Sequence, residues 1–151
     1  MSTSSSETGM GALQDGRVAM VALAWVRVAL GTAALVAPQL AGRAWIGAGA
    51  TGADRAVLVR ALGGRDIALG AGAILAARRG GRRGLRTWIA MGAMSDFVDT
   101  VATAAAFGAL PARRRWLVLF ASAGASLSGL AGYARLARTT EPPADTPGAA
   151  S

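Results

Sequence analysis

Leu58-Val59-Arg60-Ala61-Leu62-Gly63-Gly64-Arg65-Asp66-Ile67-Ala68-Leu69-Gly70-Ala71-Gly72 is the stretch whose reading decides the fold. It belongs to an apolar run that continues to Ala77. If that run lies in lipid, Arg60, Arg65 and Asp66 each cost about 2.5–3.5 kcal/mol on insertion scales. Charges elsewhere in the chain must then compensate them.

Composition favours lipid. Hydrophobic residues make up 53% of the 151 residues and charged residues only 16%, where soluble domains carry roughly 25% charged residues. The mean hydropathy is +0.42. All 16 basic residues are Arg, a choice that a GC-rich genome accounts for, and the net charge is +8. The arginines cluster between apolar runs, which reads as a membrane topology signal before a nucleic-acid surface. No nucleic-acid partner is expected. The chain has neither Cys nor His, which removes disulfides, thiol redox chemistry, Cys/His zinc sites, His-ligated haem and the Ser-His-Asp system. No metal set or cofactor motif is present, so none is expected.

Four spans follow from the apolar runs. Residues 1–16, rich in Ser, Thr and Gly, read as a disordered tail. Residues 18–36 are apolar apart from Arg27, Gly31 and Thr32, and nineteen helical residues reach about 28 Å. This run lacks the flanks of a cleaved signal and is expected to be retained. Pro38 ends it. The connection from Pro38 to Ala53 carries Leu40, Trp45 and Ile46, which either lie at the membrane interface or form an ordinary loop. Residues 56–77 form the second span, with Gly63-Gly64 as a point of kinking or unwinding, or as the place after which the spanning helix begins. Residues 87–107 form the third span and 116–134 the fourth, which has no charge. The 17–138 domain is thus an all-α, four-helix transmembrane bundle, and 139–151, rich in Pro and Ala, reads as a second disordered tail.

Between the second and third spans, Arg78 to Arg86 holds five arginines and no acid. It lacks the Gly-Lys-Ser/Thr of a phosphate loop and reads as a cytoplasmic turn. Four spans then put both termini on that side, an N-in/C-in arrangement in a bacterial cytoplasmic membrane. The Arg113–Arg115 triplet on the other side opposes this bias.

The charges inside the spans share a depth. Arg27, Arg65 and Asp96 each lie nine residues into their spans and Asp66 lies ten, which is roughly 14–15 Å, near the midplane. Arg60 and Asp99 lie further toward the opposite side, within reach of each other. Three arginines thus face three aspartates: Arg27, Arg60 and Arg65 against Asp66, Asp96 and Asp99. Asp96, Asp99 and Thr103 share one helix face, continued by Gly92. On an ideal helix Arg60, Arg65 and Asp66 do not. This set is either a site, such as a proton relay or a head-group pocket, or a group of ion pairs that fixes helix order. Gly63, Gly64, Gly70 and Gly92 admit close neighbours. So do Gly124, Ser128 and Gly132, whose four-residue spacing places them on one face of the fourth span.

The pattern Arg60-x-x-Gly63-x-Arg65-Asp66-x-x-Leu69-Gly70, followed by Asp96 and Asp99, resembles an uncharacterised family of small bacterial, actinobacterial-type membrane proteins with four predicted helices. The resemblance spans Arg17 to Arg138 and is loosely DoxX-like in size. It implies the fold and carries no reaction. The chain is also similar in size to small multidrug transporters, but the first span here holds Arg27 where those hold a Glu. Three functions compete. The first is a structural or partner-binding membrane component that packs with itself or a larger protein. The second is a small oligomeric transporter or channel component, coupled to a proton or solute. The third, ranked last, is a lipid or quinone enzyme using Asp96 or Asp99, for which no nucleophile, metal or cofactor set is present.

Overall fold

A computed structural model describes residues 4–45, 47 and 52–138. Among them every regular element is a helix: α1 (Ser4–Val36), α2 (Pro38–Trp45), α3 (Ala53–Arg78), α4 (Arg82–Ala105) and α5 (Ala112–Arg138). The tail expected at 139–151, the first three residues and Ile46 lie outside the described residues.

Three expectations change. Residues 4–16, expected as part of a disordered tail, are helical, because α1 starts at Ser4. Extending an existing helix fixes one residue per hydrogen bond gained, without repeating the cost of nucleation. The connection after Pro38 is also partly helical. Pro38 opens α2, a position where its missing N–H costs nothing. Leu40 and Trp45 point outward from α2, while Pro38 and Gly42 are buried. Finally, α3 runs without a break through Gly63-Gly64.

The turns follow from local chemistry. Between α3 and α4, Gly80 adopts φ 73, a left-handed conformation that ends helices at little cost only for glycine. There the Arg79 N–H donates to the Leu75 carbonyl at 3.1 Å and the Gly80 N–H to the Ala77 carbonyl at 3.1 Å. At the start of α5 the Pro111 carbonyl accepts from the Arg114 and Arg115 N–H groups at 2.8 and 3.1 Å.

Helix α3 packs on α1 on one side and on α4 on the other, and α4 packs on α5. The closest approach is between α1 and α3. A Cβ on Gly31 would lie 2.5 Å from the Gly63 carbonyl oxygen, and one on Gly63 would lie 2.6 Å from the Gly31 carbonyl oxygen. Further along, a Cβ on Gly70 would lie 2.5 Å from the Ala24 carbonyl. The glycines thus admit backbone-to-backbone contact, which explains why Gly63 sits inside a continuous helix despite its poor propensity.

Many large apolar side chains lie on the outside of the described helices. The central cluster is Ala24, Ala73, Ile74, Ala77, Leu85, Ile89 and Leu136. No large side chain is fully buried among the described residues, yet Asp96, Ser122 and Ser126 are buried. Trp25, Leu58, Phe97 and Phe120, one from each long helix, are 51–66% exposed. Helices α1 and α5 contain segments long and apolar enough to cross a membrane, Gly16–Val36 and Arg114–Ala137. Helices α3 and α4 carry most of the inward charges, and α1 adds Arg27.

Candidate functional site

The site is a row of charges on three helices. Arg27 on α1 donates through Nη1 to Asp66 Oδ1 of α3 at 3.1 Å. Its Nη2 donates to Asp96 Oδ2 of α4, and to the Gly92 carbonyl at 3.3 Å. Arg65 on α3 donates through Nη1 and Nη2 to both oxygens of Asp99 on α4, at 3.1 and 2.8 Å. That fork-to-fork arrangement is the strongest geometry an Arg–carboxylate pair adopts. Arg65 Nη2 also reaches Asp66 Oδ1 at 3.4 Å. The groups therefore alternate in sign: Asp96, Arg27, Asp66, Arg65, Asp99.

Position in the fold explains the row. Arg65 and Asp66 are consecutive, so on a helix they point about 100° apart. Because α3 lies between α1 and α4, Asp66 meets Arg27 of α1 while Arg65 meets Asp99 of α4. Their failure to share a face is what lets them bridge two neighbours. Asp96 and Asp99 lie one turn apart on α4, so each meets a different arginine. Gly92, one turn before Asp96, leaves the α4 backbone bare for the Arg27 guanidinium, whose Nη2 would lie 3.4 Å from a Cβ there.

Arg60 is not part of the row. Its Nε donates to the Leu35 carbonyl at 3.3 Å, one residue before α1 ends. Carbonyls at a helix C-terminus lack intrahelical donors and attract cations. That local demand wins over the Asp99 partner expected from depth alone, and Arg65 takes Asp99 instead.

The packing residues divide. Gly63, Gly70 and Gly92 sit at close contacts. Gly64 does not: nothing lies within 4 Å of a Cβ there. On α5 the expected stripe also splits. A Cβ on Gly132 would strike the Met20 side chain, whereas Gly124 has nothing within 4 Å and both it and Ser128 are exposed. The packed face of α5 is Ser122, Ser126 and Gly129. Ser126 Oγ donates to the Ala93 carbonyl of α4 at 3.1 Å, and a Cβ on Gly129 would lie 2.9 Å from Ala93 Cβ. Gly31, Ser122, Ser126 and Gly129 were not singled out from the sequence. The signal existed for the two serines: four-residue spacing in an otherwise apolar helix.

Beside Arg27 lies a small crevice bordered by Met20, Leu23, Trp88 and Ile89, with a cavity volume of about 20 Å³. That is room for about one water. Two further clusters lie at the helix ends. At one, Arg17 donates to the Ala77 carbonyl, and Arg86 donates to the Tyr133 hydroxyl at 3.2 Å with its guanidinium 4.8 Å from the ring centre. At the other, Arg114 donates to the Ala44 carbonyl, and Arg115 lies 4.9 Å from the Phe107 ring centre. The class defined by these observations is an all-helical protein with outward apolar side chains and an inward row of ion pairs. No family model, curated protein or solved structure matches the chain.

Proposed function

We propose that the protein is an integral membrane component in which α1, α3, α4 and α5 form a four-helix transmembrane bundle, held in register by the Arg27/Arg65/Asp66/Asp96/Asp99 row. The observation that carries this reading is the exposure of large apolar side chains on every long helix, Trp25, Leu58, Phe97 and Phe120 among them, around a core of alanines and a few larger aliphatics that also buries Asp96, Ser122 and Ser126. A patch of that kind on every long helix calls for a lipid or protein cover. Helices α3 and α4 are included because their mid-depth charges face each other, and mutual pairing lowers the cost of insertion. The Arg78–Arg86 turn supports an N-in/C-in orientation in a bacterial cytoplasmic membrane.

Within that frame the protein acts as a structural or partner-binding unit. Gly124 and Ser128 face outward beside Leu127, a surface suited to close packing with a second copy or a larger membrane protein. A second reading, a small proton- or solute-coupled transporter component, is supported by the uneven charge of the row. Fractionation followed by native mass spectrometry from membranes tests the first reading. Retention in the membrane after an alkaline wash, with a stable oligomer or a co-purifying protein, is expected. Release by the wash contradicts the membrane assignment, and a monomer with no companion contradicts the packing role.

A further inference from the structure

We propose that the arginine-rich end of the bundle is a binding surface for anionic phospholipid, whose phosphate its exposed guanidiniums take. The inference rests on the reading of the long helices as spanning lipid, and it says which lipid that end selects. Every long helix brings arginine to this end: Arg17 from α1, Arg78 and Arg79 from the close of α3, Arg83 and Arg86 from the first turns of α4, and Arg135 from the last turn of α5. The core holds them together, since Ala77, Leu85 and Leu136, the sequence neighbours of Arg78, Arg86 and Arg135, pack in one cluster. Two of the six are engaged within the protein. Arg17 donates to the Ala77 carbonyl, and Arg86 donates to the Tyr133 hydroxyl. Arg78, Arg79, Arg83 and Arg135 are exposed, and none of them forms an ion pair among the described residues.

The surplus of positive charge survives a count of the acids. Asp54 opens α3 at the opposite end, and Asp66, Asp96 and Asp99 are held in the row. In sequence, the flanking segments bring Glu7, Asp15, Glu141 and Asp145, four acids against eight arginines once Arg82 and Arg138 are included. A cluster of that size beside spanning helices attracts anionic lipid. The apolar side chains next to the arginines favour lipid over a nucleic acid or an acidic protein. Val18, Leu75 and Leu130, each within two helical turns of one of these arginines, are 63%, 50% and 53% exposed. Guanidiniums directly above an outward apolar belt match the layering of a leaflet, phosphate above acyl chain. A nucleic acid would neutralise the arginines and leave the belt bare. Tyr133, 37% exposed beneath Arg86, places an amphipathic ring at the head-group level.

Native mass spectrometry of the full chain, released from phosphatidylcholine vesicles that contain a minority of phosphatidylglycerol, tests this. The wild type is expected to retain phosphatidylglycerol in preference to phosphatidylcholine. R79Q/R83Q is expected to insert as well as the wild type and to lose that preference by about fivefold for each arginine removed. R79K/R83K, which keeps the charge, and R43Q/R55Q, at the opposite end, are expected to retain it. Equal retention of the two lipids by the wild type overturns the proposal and leaves the membrane reading standing. So does a preference that R79Q/R83Q keeps, or one that R43Q/R55Q removes. Displacement of the lipid by inorganic phosphate, or by an oligonucleotide, also overturns it, by assigning the arginines to a free anion or to nucleic acid. If R79Q/R83Q does not insert, R78Q/R135Q is read in its place, and failure of both pairs makes the arginines structural and counts against the proposal. A chain that stays in solution without detergent overturns the membrane reading itself.

Discussion

Arg27 is the residue on which most depends, since its guanidinium serves two carboxylates on two helices and a backbone carbonyl on one of them. Its side chain is 14% exposed and that of Asp96 9%. Removing one partner from a buried pair leaves the other uncompensated, which costs about 3–5 kcal/mol. R27Q should therefore lower stability by about that amount in detergent unfolding. D99N should lose less, because Asp99 is more than a third exposed. Depth along the apolar runs made Arg27, Arg65, Asp66 and Asp96 legible in the sequence as one level, with Arg60 and Asp99 set together further along. Depth alone therefore gave Asp99 to Arg60 and not to Arg65. That choice turns on a carbonyl left open at the end of α1, which a charge count along the chain does not register.

Among the elements, the α1–α3 contact is the most sensitive to added volume. Gly31 and Gly63 lie carbonyl to Cα, with no room for a methyl group. G63A should force the two helices apart and cost about 1–3 kcal/mol, the usual range for overpacking. Its neighbour offers the control. Gly64 is exposed and open, so G64A should be neutral or should stabilise α3 by up to about 1 kcal/mol through helix propensity. Thermal unfolding of the two variants side by side checks both signs. The pair of glycines reads from sequence as a weak point because propensity is local information. Which of the two meets α1 is set by helix rotation, a tertiary quantity. The same holds on α5, where Gly124, Ser128 and Gly132 share a spacing, yet rotation turns Ser126 and Gly129 toward α4 and leaves Gly124 and Ser128 outside. G129A should therefore destabilise and G124A should leave monomer stability unchanged.

For the molecule as a whole, the helical class and the order of the long helices were readable from apolar runs and their arginine-rich ends. The extension of α1 to Ser4 and the existence of α2 were not, because neither segment has an apolar run to announce it. What covers the outward side chains, lipid or water, decides the nature of the fold. The chain contains no cysteine, so single cysteines can carry a spin label at Val26, Leu62, Phe97 and Leu130, one outward site on each long helix. Collision with oxygen, which concentrates in lipid, and with a water-soluble relaxation agent is then compared in vesicles. Lipid around α1, α3, α4 and α5 predicts high oxygen and low aqueous collision at all four sites, with low collision of both kinds at the inward Ala73 and Ala93. High aqueous collision at Leu62 and Phe97 would contradict the account, because α3 and α4 would then lie in water.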